Sequence, residues 1–329
     1  MAGYTIKRVG AAAVLLLLVL SFTFFFVRLA PGDPTLLTQD PRLGPEDRES
    51  LRRLYGLDRP VSQQYFTWMK SVLVEGDWGV SYVHQRPVVG VIAERVPPTL
   101  LLTGVALALQ FGLGLILGVT AARRPGSAID SLLRLSSLLF YSLPIFWTGL
   151  MALMLLSYRW PIFPAGHMRS VDASVMVAFA RFAVLLHHLA LPVLVLVVGG
   201  AAVVARFARN SLLEVLDEDY IRTARAKGLS EARVLWIHAL KNAATPLVQL
   251  LGLSLPLLLS GSLVVEVVFS WPGLGRLTYD SILARDYPVI LAATALSGCL
   301  VVAGTLLADI AQAVLDPRVR RGSPTKTAG

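Results

Sequence analysis

The sequence predicts an all-α polytopic membrane protein with six transmembrane helices and with its amino and carboxyl termini in the cytosol. Three observations carry that prediction. Of 329 residues, 55% are hydrophobic and only 16% charged, with a mean hydropathy of +0.65; a soluble domain carries roughly 25% charged residues. Six stretches approach the about 20 apolar residues that a helix needs to cross a bilayer core. Lys and Arg collect on one side of those stretches. Length alone would allow about two domains, but the composition argues for one membrane domain with modest soluble excursions.

The expected spans run over about 9–27, 99–122, 132–156, 183–205, 246–269 and 289–315. Pro144, Pro192 and Pro256 fall inside the third, fourth and fifth. Proline is tolerated there because neighbouring helices satisfy the freed backbone groups. The first span follows Lys7 and Arg8, as a signal peptide would. Its apolar stretch is too long for such a peptide, and no small-x-small cleavage site follows, so it reads as an uncleaved anchor.

Orientation follows from the short loops. With the amino terminus inside, inner segments hold 16 Lys and Arg and the two short outer loops hold 5. Long loops translocate largely regardless of charge, so the 9 in residues 28–98 do not count. This asymmetry accounts for the net charge of +9 and the pI near 10.0 without nucleic acid. Basic patches interleaved with aromatics, the pattern of single-strand binders, are absent. The single Cys299 has no partner in the chain for a disulfide.

The division expected is 1–27 as amino terminus and first span, 28–98 as an extracytoplasmic segment, 99–315 as a five-helix core containing a cytosolic loop at 206–245, and 316–329 as a cytosolic tail. In the outer segment, Pro45-Glu46-Asp47 begins a short helix that ends near Tyr55 and is capped by Gly56. Pro60 begins a second, amphipathic one around Tyr65, Phe66, Trp68 and Met69, suited to a membrane surface. The segment reads equally as a structural cap on the outer mouth or as a docking surface for an external partner.

The cytosolic loop is the most informative stretch. Asp217, Glu218 and Asp219 precede Arg222, Arg225 and Lys227, and Gly228 follows. Acids first, bases last and a closing glycine is the order a short helix prefers. Ser230 is placed to cap a second helix carrying Val234, Leu235, Ile237 and Leu240. Two short helices hinged at Gly228 and facing the cytosol suggest a docking element; the plainer alternative is a solvated charged loop beside anionic lipid.

Other chemistries find little to work with. No Gly-x-x-x-x-Gly-Lys-Ser/Thr loop is present. Gly114 and Gly118 have small-xxx-small spacing, which speaks for helix packing rather than a phosphate cradle. His187 and His188 read as a wet boundary pair rather than metal ligands. An ion-coupled secondary transporter is the main rival, but such proteins place ionisable groups mid-span. Arg28, Arg206 and Asp309 lie near span ends, and the deep polar Gln110 does not titrate. Glu266, toward the outer end of the fifth span, is the candidate pore or outer-gate contact; otherwise it is a boundary carboxylate with an arginine partner. A scaffold or sensor subunit without a pore is the third reading.

The run Asp219-Tyr220-Ile221-Arg222-Thr223-Ala224-Arg225-Ala226-Lys227-Gly228-Leu229 resembles the cytoplasmic loop of ABC-importer permeases, most of all the B-type permease subunit of bacterial dipeptide/oligopeptide/nickel importers. Arg28-Leu29-Ala30-Pro31-Gly32-Asp33-Pro34, Gly56-Leu57-Asp58-Arg59-Pro60 and Gly76-Asp77-Trp78-Gly79-Val80-Ser81-Tyr82 resemble that family's outer motifs. So do Ser142 to Trp147, Phe269-Ser270-Trp271-Pro272-Gly273-Leu274-Gly275, Asp286-Tyr287-Pro288 and Leu315-Asp316-Pro317-Arg318 in their own places. The loop departs from the wider ABC pattern at Arg222 and Thr223, where glutamate and alanine are usual, and keeps Ala224 and Gly228. The resemblance implies a permease that forms half of the path for peptides or a related small solute. It implies a second homologous permease, two cytosolic ATPase subunits and an extracytoplasmic substrate-binding protein as partners, besides membrane lipid. ATP and Mg would sit on the ATPases, with no cofactor, metal or catalytic residue on this chain. Asp219, Tyr220, Arg222, Thr223, Ala224, Arg225, Ala226, Lys227 and Gly228 would couple the spans to the ATPase. Alternating access would come from rocking of helix bundles.

Overall fold

Helix α1 (Ala2–Leu29) opens the chain. A computed structural model describes residues 2–29, 44–170, 176–260 and 263–315; the motif residues 30–34 and the tail 316–329 lie outside the described residues. The outer segment begins with α2 (Pro45–Leu54) and α3 (Val61–Lys70), close to the helices expected at those places. Gly56 takes φ +64° past the end of α2, and Leu57 N–H bonds back to Arg52 O at 2.8 Å. Left-handed backbone of that kind is open to glycine at little cost. A π-helical turn, Ser71–Glu75, extends α3.

Helix α4 (Val88–Arg123) runs through Pro97 and Pro98, so the second span begins at Val88 rather than at residue 99. Its additional outer turns bury Val88, Val91 and Ile92 against Leu274, Leu277, Val289 and Ala292. That apolar contact explains why the helix continues above the expected boundary.

The third span is broken. Helices α5 (Ala128–Ser142) and α6 (Ile145–Leu153), the latter prolonged by a π-helical turn over Met154–Arg159, meet at a bend of 98°. The cause is Pro144, whose ring pushes the preceding residue out of helical backbone; Leu143 has φ −83° and ψ 125°. Sequence reading placed Pro144 inside one continuous helix, and the structure corrects that.

Helix α7 (Ala178–Leu216) passes through the buried Pro192 and continues well beyond residue 205. Next come α8 (Asp219–Ala226), the single turn α9 (Glu231–Arg233) and a π-helical stretch, Val234–Ala239, which leads directly into α10 (Leu240–Ser260). The expected pair of short loop helices is therefore one free helix, α8, followed by an extension of α10. Then follow α11 (Leu263–Val268), α12 (Leu274–Leu283) and α13 (Tyr287–Leu315).

Among the described residues, four helices are long and apolar enough to cross a membrane, and the bent α5–α6 pair, taken as one span, makes a fifth. The stretch read as the fifth span holds α10 and α11, and residues 261–262 between them lie outside the described residues. The core is α4 crossed on α7. A Cβ at Gly114 would lie 2.5 Å from Val204 Cβ, and one at Gly118 would lie 2.6 Å from both Ala205 O and Ala208 Cβ. Small residues let the two backbones approach, as expected from their spacing. Helix α13 packs on α10, and α1 packs on α13. Gln110 donates to Leu196 O on α7, giving this deep polar group a backbone partner.

Candidate coupling surface and outer end

Helix α8 is short and strongly amphipathic. Ile221 and Ala224 point inward onto Val119, Leu212, Val234 and Leu235. Tyr220, Arg222, Thr223, Ala226 and Lys227 are exposed on the other side. Asp219 sits in the first turn and Arg225 in the last, each at the helix end that favours its charge. Gly228 N–H bonds to Arg225 O at 2.9 Å and Leu229 N–H reaches Ala224 O at 3.4 Å. Those two bonds, with Gly228 at φ +77°, form a Schellman closure. Ser230 stands at the next cap position but its side chain makes no capping bond.

Across the Gly228 turn, Arg225 Nε lies 2.8 Å from Glu231 Oε1, and Nη2 lies 3.4 Å from Oε2. The pair ties α8 to α9 and borders a cleft of about 410 Å³ that also reaches Arg123 and Leu213. Of the nine residues expected in the coupling loop, eight lie exposed on α8 or its closing turn, and Ala224 anchors the helix from beneath.

A second polar centre lies nearby and was not singled out in the sequence. Asp130, with 1% of its side chain exposed, accepts from Arg209 Nε and, at 2.9 Å each, from Arg209 Nη2 and Gly126 N. Ser127 caps α5 by accepting from Asp130 N. An acid three residues after a Gly-Ser turn was the available signal; its arginine, on α7, could not be read from spacing.

On α11, Glu266 is completely buried. Its carboxylate accepts from Thr99 Oγ1 at 2.8 Å and from Arg276 N at 3.0 Å. The Arg276 guanidinium turns elsewhere, to Ser270 O at 2.7 Å and toward Asp280. Trp271 Nε1 donates to Pro98 O at 2.8 Å, so the 269–275 motif is clasped onto α4. A cavity of about 720 Å³ is lined by Arg95, His167, Arg276 and Asp280. In this conformation Glu266 is thus an internal tie, and its partners are backbone and hydroxyl donors rather than an arginine side chain. His187 and His188 bond to backbone carbonyls of Ile162, Gly166 and His167.

Two of the outer motifs meet. Asp286, also fully buried, accepts from the Ser81 hydroxyl, from Tyr82 N at 3.0 Å and from Val83 N at 3.3 Å. Burial pushes the Tyr82 phenol up to about 12, although Arg28 nearby pulls it down. The 76–87 segment is therefore pinned to the start of α13.

Residues 114–321 match the family described as binding-protein-dependent transport system inner membrane component, and residues 1–103 match the N-terminal family of such membrane components. The chain is 42% identical over 320 residues to the oligopeptide transport system permease protein AppB of Bacillus subtilis (strain 168), covering 97% of this chain and 99% of that one. It is 36% identical over an aligned length of 334 residues to the dipeptide transport system permease protein DppB of Escherichia coli (strain K12), covering 96% and 98%. Among solved structures, an inward facing conformation of the MetNI methionine ABC transporter superposes with a TM-score of 0.54 at 19% identity, over 69% of this chain and 97% of that one. That last likeness speaks for the fold alone.

Proposed function

The chain belongs to the binding-protein-dependent transport system inner membrane components, as a multi-pass permease, and from that premise we propose that it forms one half of the path of an ATP-driven importer for peptides. The observation that carries the substrate class is end-to-end agreement with permeases named for oligopeptide and dipeptide transport. The ion-coupled alternative finds no counterpart among those relatives.

The finer reading rests on physical argument. The chain crosses the membrane six times, α10 with α11 supplying the span beyond the five counted above, and both termini lie in the cytosol. Helices α2 and α3, with the segment that follows them to Pro87, form an outer cap. A second permease completes the path, two ATPase subunits supply ATP and Mg, and an external binding protein delivers the solute. This chain itself hydrolyses nothing. The exposed face of α8, from Asp219 to Lys227, seats in the ATPase; the inward Ile221 and Ala224 pass its displacement to α4, α7 and α10. Coupling of this kind requires the contact to differ between the two states of the ATPase.

The test is purification of the tagged chain from native membranes in mild detergent, followed by subunit identification and reconstituted uptake. A stoichiometric ATPase, a second permease and ATP-dependent peptide uptake are expected. A lone chain that takes up solute on an ion gradient would overturn the proposal.

A further inference from the structure

Among the described residues, no carboxylate pairs with the cation at the end of α1. Arg28 Nε and Nη1 are buried and have no hydrogen-bond partner. Its guanidinium lies 5.0 Å from the Phe24 ring and 5.3 Å from the Tyr287 ring, which hold the group while leaving those donors idle. Orphaned buried donors are uncommon and call for an explanation. Arg28 faces a cavity of about 190 Å³ that is also lined by Arg59, Gln64, Trp68 and Asp77. Trp68 Nε1 and Gln64 Oε1 are likewise buried without partners. Gln64 Nε2 is engaged with Arg59 O at 2.7 Å, which fixes the amide with its oxygen unused. Asp77 accepts from Gly79 N at 2.8 Å. Among the described residues that line it, one carboxylate beside two arginines leaves the cavity one negative charge short.

Position identifies the source of that charge. Helix α1 makes its main contacts with α13 and α3 rather than with the α4–α7 pair, so the cavity stands apart from the core. Phe22, Phe26 and Leu29 on α1, and Phe66, Leu73 and Val74 on α3 and its π turn, are exposed apolar surface of the kind that meets lipid. Helix α3 is fastened along α1 by Tyr65 Oη and Ser21 Oγ at 2.7 Å and by Trp68 stacked on Phe24. Trp and Tyr gather at headgroup level in membrane proteins, and Trp68, Tyr55, Tyr82 and Tyr287 line this cavity.

We propose that the cavity binds the phosphate of an outer-leaflet phospholipid. Arg28 and Arg59 supply the charged donors and the Trp68 indole a neutral one. Gln64 Oε1 accepts from a headgroup hydroxyl or ammonium, and the acyl chains follow the exposed apolar faces of α1 and α3. A phosphodiester carries the one negative charge that is missing.

The test uses the assembled complex, stripped of lipid by detergent exchange and then given dioleoylphosphatidylglycerol, dioleoylglycerol or inorganic phosphate. Phosphatidylglycerol is expected to raise Tm by several degrees and to persist as a bound adduct in native mass spectrometry, while the other two do neither. Arg28→Gln should cut adduct retention about tenfold, and the distant exposed Arg181→Gln should leave it unchanged. If Arg28→Gln fails to assemble, Trp68→Phe keeps the ring on Phe24 and should weaken retention severalfold. Equal retention in these variants and the parent would overturn the site. An equal effect of inorganic phosphate would show a free-anion site instead, and an equal effect of dioleoylglycerol would show binding by the chains alone; either overturns the proposal.

Discussion

Ser81 donates its hydroxyl proton to Asp286 across a sequence separation of 205 residues, and this bond ties the 76–87 segment to the start of α13. The same carboxylate also holds two backbone N–H groups, of Tyr82 and Val83. Leaving a buried donor unsatisfied costs about 1–3 kcal/mol. Asp286→Ala should lower Tm by several degrees and speed proteolytic cleavage within residues 76–87. Cleavage at the parent rate would mean that this segment is held by other contacts.

The α4–α7 crossing allows a sharper comparison. A Cβ at Gly118 meets a backbone oxygen, which cannot rotate away, whereas one at Gly112 meets nothing within 4 Å. Overpacking of this kind typically costs about 1–3 kcal/mol. Gly118→Ala should reduce the yield of monodisperse protein and its Tm, and Gly112→Ala should change neither. Equal behaviour of the two variants would show that the crossing is looser than described.

Much of this was legible in the sequence, for identifiable reasons. Helix type and approximate span positions follow from apolar run length, which is a local property. The α8 helix with its glycine closure followed from charge order, and the Gly114–Gly118 contact from spacing. Helix ends were less legible. Val88, Val91 and Ile92 prolong α4 because of partners on α12 and α13, nearly two hundred positions away. The same holds for the polar ties. Asp130 with Arg209, Glu266 with Thr99 and Asp286 with Ser81 each join distant segments, and no periodicity announces such pairs. Pro144 was visible, but whether it would be absorbed, as Pro192 is in α7, or would break the helix depends on packing around it.

Gly228 separates a conformational from a steric account of the turn that closes α8. Its φ is +77°, and an added Cβ would have no neighbour within 4 Å. The cost of a side chain is therefore backbone strain of about 1 kcal/mol, nearly the same for Ala and Leu and smaller for Asn. ATP-driven uptake by the reconstituted importer should fall alike in Gly228→Ala and Gly228→Leu, with Gly228→Asn closer to the parent and membrane insertion intact in all three. A graded loss that follows side-chain volume would instead place a partner surface directly against this position.

The tie between Asp130 and Arg209 fixes the start of α5 to α7, and it can be dissected by a double-mutant cycle. Asp130 holds two Arg209 nitrogens and the Gly126 N–H, and Arg134 stands at 3.8 Å. Arg209 itself is only 15% exposed on its side chain, so losing the acid strands a mostly covered cation. Hydrogen bonds to charged groups contribute about 1.5–3 kcal/mol. Breaking one side of a covered pair costs more than replacing both, because the stranded charge is the larger penalty. Asp130→Asn should therefore destabilise the protein by about 1–3 kcal/mol, and Asp130→Asn with Arg209→Gln should recover part of that in Tm. The α5–α6 bend lies at the far end of α5, so a loosened tie should also alter uptake more than it alters folding. Additive losses in the double variant would show that the two residues act separately, and the link between the α4–α5 turn and α7 would then have to be sought in the apolar contact of Ala121, Leu133 and Ala205.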